Sequence, residues 1–216
     1  MLSVFKTRLA MSFVLAALVV NPALSQTLKD FFTNTQTPAL YLGIDFTKTK
    51  LIDDATANEN DIKDHQYTAI NEVVIAEPKK YDVSGAFHRS SMDHDFGQID
   101  QKNVKVDATQ IKSTNTSDFH RLKEDDIANV VKGYDFGDKK GIGILFVVEA
   151  LSKSGKNAAI WVAFIDMKAK KMLMTERMES KAKGGFSWRN YWASAFKDLL
   201  DDIEDKKYKE WQSKYQ

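Results

Sequence analysis

The chain has 216 residues, 31 basic against 30 acidic side chains, and no cysteine. A charge balance this even carries no polyanion-binding signature, so nucleic acid is not an expected partner. The missing cysteine excludes disulfides, thiolate metal sites, a cysteine nucleophile and the lipidated cysteine of a bacterial lipoprotein.

In chain order the first element is an export signal. Lys6 and Arg8 form a short basic start, residues 9–20 are an apolar run, and Ala23, Leu24 and Ser25 put small residues where a signal peptidase reads. A run of this length is too short for a bilayer, which needs roughly 20 residues, so 1–25 reads as a removed signal rather than an anchor. Residues 26–216 then form one domain, exported to the periplasm or beyond, with no transmembrane segment. An exported chain without cysteine fits a bacterial envelope better than a eukaryotic secretory route.

Residues 27–37 read as a leader or first helical turn, and Leu40, Leu42, Ile44 and Phe46 alternate as a first strand. Apolar residues near helical spacing predict a helix over 61–77, stopped by Pro78. Residues 79–117 show no sustained period, and a strand is expected at 96–100. Acidic residues 124–126 ahead of Ile127, Val130 and Val131 predict another helix within 117–134. Residues 142–148, 158–166 and 172–178 then alternate around two turns, which predicts an antiparallel meander. Ser187 is placed to cap a last helix, whose stripe runs through Trp188, Tyr191, Trp192, Ala195, Phe196, Leu199, Leu200 and Ile203. The fold class is α/β: a mixed β-sheet with a C-terminal antiparallel meander, packed against two or three helices as a layered sandwich.

Residues 141–149, 161–166 and 184–193, with the first strand 41–46, resemble a family of small, uncharacterised exported bacterial envelope proteins. The predicted element order also resembles the amino-terminal domain of TolB and the CsgG-type and penicillin-binding-protein-activator domains, which are periplasmic interaction modules. The resemblance implies a non-enzymatic envelope role and carries no catalytic residue over.

Several side-chain groups invite a functional reading. His88 and His94 flank Asp93 in an irregular segment that a loop could wrap around an ion, yet their spacing matches no zinc pattern, and an exposed polar loop is the simpler reading. No serine sits in G-x-S-x-G or S-x-x-K. Asp45 and Glu149 fall near the ends of apolar strands, where a carboxylate is either a raised-pKa acid or half of a structural ion pair with Arg177 or Arg189. Gly184, Gly185, Ser187 and Arg189 at a helix start resemble an anion cradle, set against a plain strand-to-helix turn. Tyr208 and Trp211 either form an exposed contact surface with Tyr215 or prolong the core stripe of the last helix.

The expected function is a non-enzymatic binding or accessory module for another envelope protein or a cell-wall component, without cofactor or metal. Its contact residues would be His88, Asp93, His94, Tyr208 and Trp211. The alternative is a metal- or carboxylate-dependent periplasmic hydrolase built on His88, Asp93 and His94.

Overall fold

The computed structural model describes residues 27–216, and the predicted export signal lies outside the described residues. In chain order the elements are α1 (Leu28–Thr33), β1 (Ala39–Asp45), β2 (Lys50–Ile52), α2 (Glu59–Asp61), α3 (Tyr67–Ala76), α4 (Val83–Ala86), β3 (Asp93–His94), α5 (Gly97–Asn103), β4 (Lys112–Ser113), α6 (Glu124–Lys132), β5 (Ile142–Ser152), β6 (Asn157–Asp166), β7 (Lys171–Lys181), α7 (Trp188–Asp202) and α8 (Tyr208–Tyr215). Wide π turns at Ile62–Gln66 and Ile203–Lys207 carry α2 into α3 and α7 into α8.

The sheet is built outward from β5, whose eleven residues are all buried. Such a strand must be covered on both faces, which is why its sequence is apolar at every parity. On one side β5 pairs antiparallel with β6, and β6 with β7. On the other side β1 runs parallel to residues 142–147, the chain turns at residues 46–49, and β2 resumes beside residues 150–152. Short β3 and β4 extend β1 and β2 outward, also in parallel. One face of the sheet carries Ile144, Phe146, Ile160, Val162 and Phe164 against α1, α3, α4, α7 and α8. The opposite face carries Leu145, Val147, Trp161, Ala163 and Ile165 against α5 and α6. The mixed α/β class holds, but more than two or three helices cover the sheet, because the irregular middle of the chain folds into short ones.

The predicted strand at 96–100 is instead the start of α5. The Asp95 carboxylate accepts the Gly97 N–H at 3.0 Å, which starts the turn. Ile99 and Asn103, four residues apart, then face inward together.

Two buried asparagines complete β1 where β3 is too short to reach. Asn71 of α3 accepts the Ile44 N–H at 2.8 Å and donates to the Ile44 carbonyl at 3.1 Å, as a neighbouring strand would. Asn103 of α5 accepts the Phe46 N–H at 2.8 Å and donates to the same Ile44 carbonyl at 3.0 Å. Gly43, at φ +99°, lets Asn71 come this close, since a Cβ there would lie 2.9 Å from the Asn71 side-chain oxygen.

Candidate functional site

The parallel strands β2 and β5 end side by side, with Ile52 opposite Ser152. Carboxyl ends of parallel strands are where open α/β sheets place ligand crevices. Here the loop after β2 is pinned to the β5–β6 turn: Lys153 N–H donates to the Ile52 carbonyl at 2.9 Å, and the Ser154 hydroxyl donates to Asp53 at 2.6 Å. Two helices begin at the same rim. Asn58 caps α2 by accepting the Asp61 N–H at 3.0 Å, and Ser187 caps α7 by accepting the Asn190 N–H at 3.2 Å. Between them lies an open pocket of about 370 Å³, lined by Asp54, Asp61, Lys153, Trp188 and Tyr191, with Phe186 at its edge.

Phe186 is fully exposed, in contrast to the other phenylalanines of the described chain, which are at least partly buried. Its placement follows from the glycines before it. Gly185, at φ +150°, packs so closely on the first turn of α7 that a Cβ would lie 2.5 Å from the backbone of Asn190 and Tyr191. The turn therefore folds onto the helix and drives the Phe186 ring into solvent. Gly185→Ala is expected to cost on the order of 1–3 kcal/mol in backbone strain, visible as a lowered Tm. Gly184→Ala, with nothing within 4 Å of its Cβ, should cost less.

The ionisable groups of the lining are two carboxylates, one ammonium and the Tyr191 phenol. Asp54 is only 8 % exposed and receives a hydrogen bond from the Thr56 hydroxyl at 3.1 Å. Asp61 accepts from Gln66 at 2.8 Å and faces His65 at 3.2 Å. The Lys153 ammonium lies 4.0 Å from the centroid of the Tyr191 ring. Burial, and then the Asp54 charge, hold the Tyr191 phenol above its ordinary value, so it stays protonated at neutral pH. The pocket thus offers half-buried aromatic faces beside a carboxylate without a cationic partner among the described residues.

Of the predicted anion cradle, Gly185 and Ser187 line this pocket, while Gly184 precedes it and Arg189 is not in the lining. Arg189 Nε donates to the Asn190 side chain at 3.1 Å. Tyr208 and Trp211, at 1 % and 2 % exposure, are core residues. Their rings pack on Phe32 at centroid distances of 5.4 and 6.4 Å, because the π turn keeps α8 in register with the stripe of α7. Neither is left on the surface as a contact residue, which corrects the exposed-tail expectation.

His88 is exposed and stacks on Tyr208 at 3.9 Å, whereas His94 and Asp93 lie in the outer strand β3, with the His94 ring 5.1 Å from that of Phe96. The histidines thus serve different neighbours, and among the described residues no group of three or more His, Asp or Glu side chains is arranged to hold a metal. The neighbouring Arg89 is a buried knot: it donates to the Phe31 carbonyl at 2.5 Å and the Phe87 carbonyl at 3.2 Å, and covers the Phe31 ring at 3.9 Å.

Asp45 and Glu149 do not pair with each other. Asp45 accepts the Tyr134 hydroxyl at 2.6 Å and the Thr47 N–H at 2.7 Å. Glu149 takes the expected ion pair, with Arg177 at 2.8 Å, and also accepts the Trp161 indole N–H and the Leu122 N–H. Burial opposes the charge on Arg177, but its bonds to Glu179 and Glu149 outweigh that and raise its pKa.

Lys153 and Asp54 sit in turns without periodicity, so no local signal marks them. Phe186 had one: an apolar aromatic between a Gly-Gly pair and a helix cap, outside the stripe of the helix it precedes.

Among the described residues no helix is long and apolar enough to cross a membrane. No family model matches the chain, and no curated protein is similar to it. Among solved structures, the lipoprotein GNA1162 from Neisseria meningitidis is similar at 9 % identity and a TM-score of 0.30, covering 79 % of this chain and 98 % of that one. A likeness this distant carries no residue across.

Proposed function

We propose that the protein is a non-enzymatic binding or accessory module of the bacterial envelope, which docks another envelope protein at the crevice beside Phe186. The observation that carries this reading is the exposed aromatic ring, held out over an open pocket by a glycine turn that has no room for a side chain. An exposed aromatic beside a concave, partly apolar surface has the character of an interface anchor. The export signal read in residues 1–25 supports an interaction outside the cytosol. The lining contains no histidine, and its one serine hydroxyl caps α7.

The test is a photo-crosslinking residue at position 186 in the producing cell, with the exposed Val104 position as control. A discrete protein adduct from 186 and none from 104 is expected. With the purified pair, Phe186→Ala should weaken binding by roughly 30-fold, the ~2 kcal/mol of an aromatic anchor. An adduct pattern that does not distinguish 186 from 104, or an affinity unmoved by Phe186→Ala, removes the crevice from the interface.

A further inference from the structure

We infer that the crevice takes an organic cation, an alkylammonium or guanidinium head group, seated between the Asp54 carboxylate and the ring faces of Tyr191 and Trp188. This rests on the reading of the crevice as a binding site and specifies its chemistry.

Three observations point the same way. Asp54 is more than nine-tenths buried and has one neutral donor, the Thr56 hydroxyl, with no ion-pair partner among the described residues. A carboxylate removed from water in this way gains from an incoming cation that pairs with its remaining lone pairs. The pocket already holds an ammonium of the chain itself: Lys153 Nζ lies 4.0 Å from the Tyr191 centroid, a cation–π distance. That contact shows that the ring face accommodates a cation of this size. Finally, the lining carries Asp54 and Asp61 against Lys153 alone, an excess of negative charge among its side chains.

The two helix starts at the rim would favour an anion, but each contributes about half an elementary charge, and both are engaged by their caps. Together with Lys153 these half charges balance the two carboxylates, so the preference for a cation rests on the buried Asp54 and the ring faces beside it. Arg189, the guanidinium that an anion site would need, is absent from the lining.

Lys153 gives the inference a sign that distinguishes it from the anion reading. If the pocket binds cations, Lys153 is an internal competitor, and removing it strengthens binding; if it binds anions, Lys153 is the ligand, and removing it weakens binding. The experiment titrates the purified protein with arginine amide, and separately with inorganic phosphate, following the Trp188 and Tyr191 ring signals by NMR.

Expected are saturable shifts with arginine amide, several-fold tighter binding in Lys153→Met and about tenfold weaker binding in Asp54→Asn, as befits loss of a charge-assisted contact. Tyr191→Leu, which leaves Asp54 in place, should also weaken binding and serves if Asp54→Asn does not fold. Weaker arginine amide binding in Lys153→Met, phosphate binding that Lys153→Met abolishes, or no saturable shift in either the parent protein or Lys153→Met overturns the inference. Where arginine amide also displaces the partner crosslinked at position 186, the cation is a partner's basic side chain; where it binds without displacing it, the cation is a free amine. Loss of arginine amide binding with the adduct at 186 intact sinks the cation site and leaves the docking reading standing.

Discussion

Glu149→Leu is expected to destabilise the fold by about 3–5 kcal/mol, the range for removing one partner of a buried ion pair. Glu149 is fully buried and holds three donors from different parts of the chain: the Leu122 N–H at 2.6 Å, the Trp161 indole at 3.1 Å and Arg177 Nε at 2.8 Å. Leucine orphans the first two, and leaves a guanidinium that is mostly covered without its buried counter-charge. The Arg177 side chain is 20 % exposed, and it keeps Glu179 at 2.7 Å and the Phe119 carbonyl at 2.6 Å. Those contacts limit the loss but cannot replace a group at the centre of the sheet. Urea unfolding measures it as a shift in midpoint at unchanged slope. Pairing the change with Arg177→Met should recover a large part of the stability, since replacing both charges removes the desolvation cost along with the attraction. A single variant within about 1 kcal/mol of the parent would show that the pair behaves like an exposed one.

Asn71→Leu should cost about 1–3 kcal/mol, because the Ile44 N–H loses its partner in the core and is left unsatisfied. The Ile44 carbonyl retains Asn103 at 3.0 Å, so the N–H bears most of the loss. Asn103→Leu acts the same way through the Phe46 N–H. The double variant is expected to cost more than the sum of the two, since only then does the Ile44 carbonyl lose its last asparagine donor. A double-mutant cycle in urea reads this directly, and strict additivity would mean the two asparagines do not share that carbonyl in solution. Amide exchange at Ile44 and Phe46 gives a second readout, with protection falling at one site in each single variant.

These two clusters show why part of the structure was legible and part was not. Residues 142–148 and 158–166 are apolar at both parities, and that pattern alone marks strands buried on both faces. The helix after Ser187 announces itself by its cap and by apolar side chains at three- and four-residue steps, and α7 follows them. The Arg177 partner of Glu149 was also within reach, because a charge flanked by apolar residues in a strand needs compensation nearby. By contrast β2, β3 and β4 are two or three residues long, too short to display any period. They exist because β1, β5 and then β2 offer edges to pair with, which is a property of the folded sheet. The helix α5 was hidden for a similar reason: its inward residues are Ile99 and Asn103, and the asparagine faces the core only because β1 needs a donor and an acceptor there.

The sequence by itself determined the α/β class, the central strands, the last helix and the expectation of export, because each rests on composition or on a period carried by neighbouring residues. Only the tertiary structure decided that Tyr208 and Trp211 belong to the core, that His88 and His94 serve different neighbours, and that Asp54, Lys153, Tyr191 and Phe186 share one crevice. Those residues come from the loop after β2, the turn after β5 and the start of α7, and only parallel pairing of β2 with β5 brings the first two to the same rim. Contacts across such separations are set by the sheet's pairing and by the helices laid over it, neither of which leaves a mark on the residues beside them in the chain.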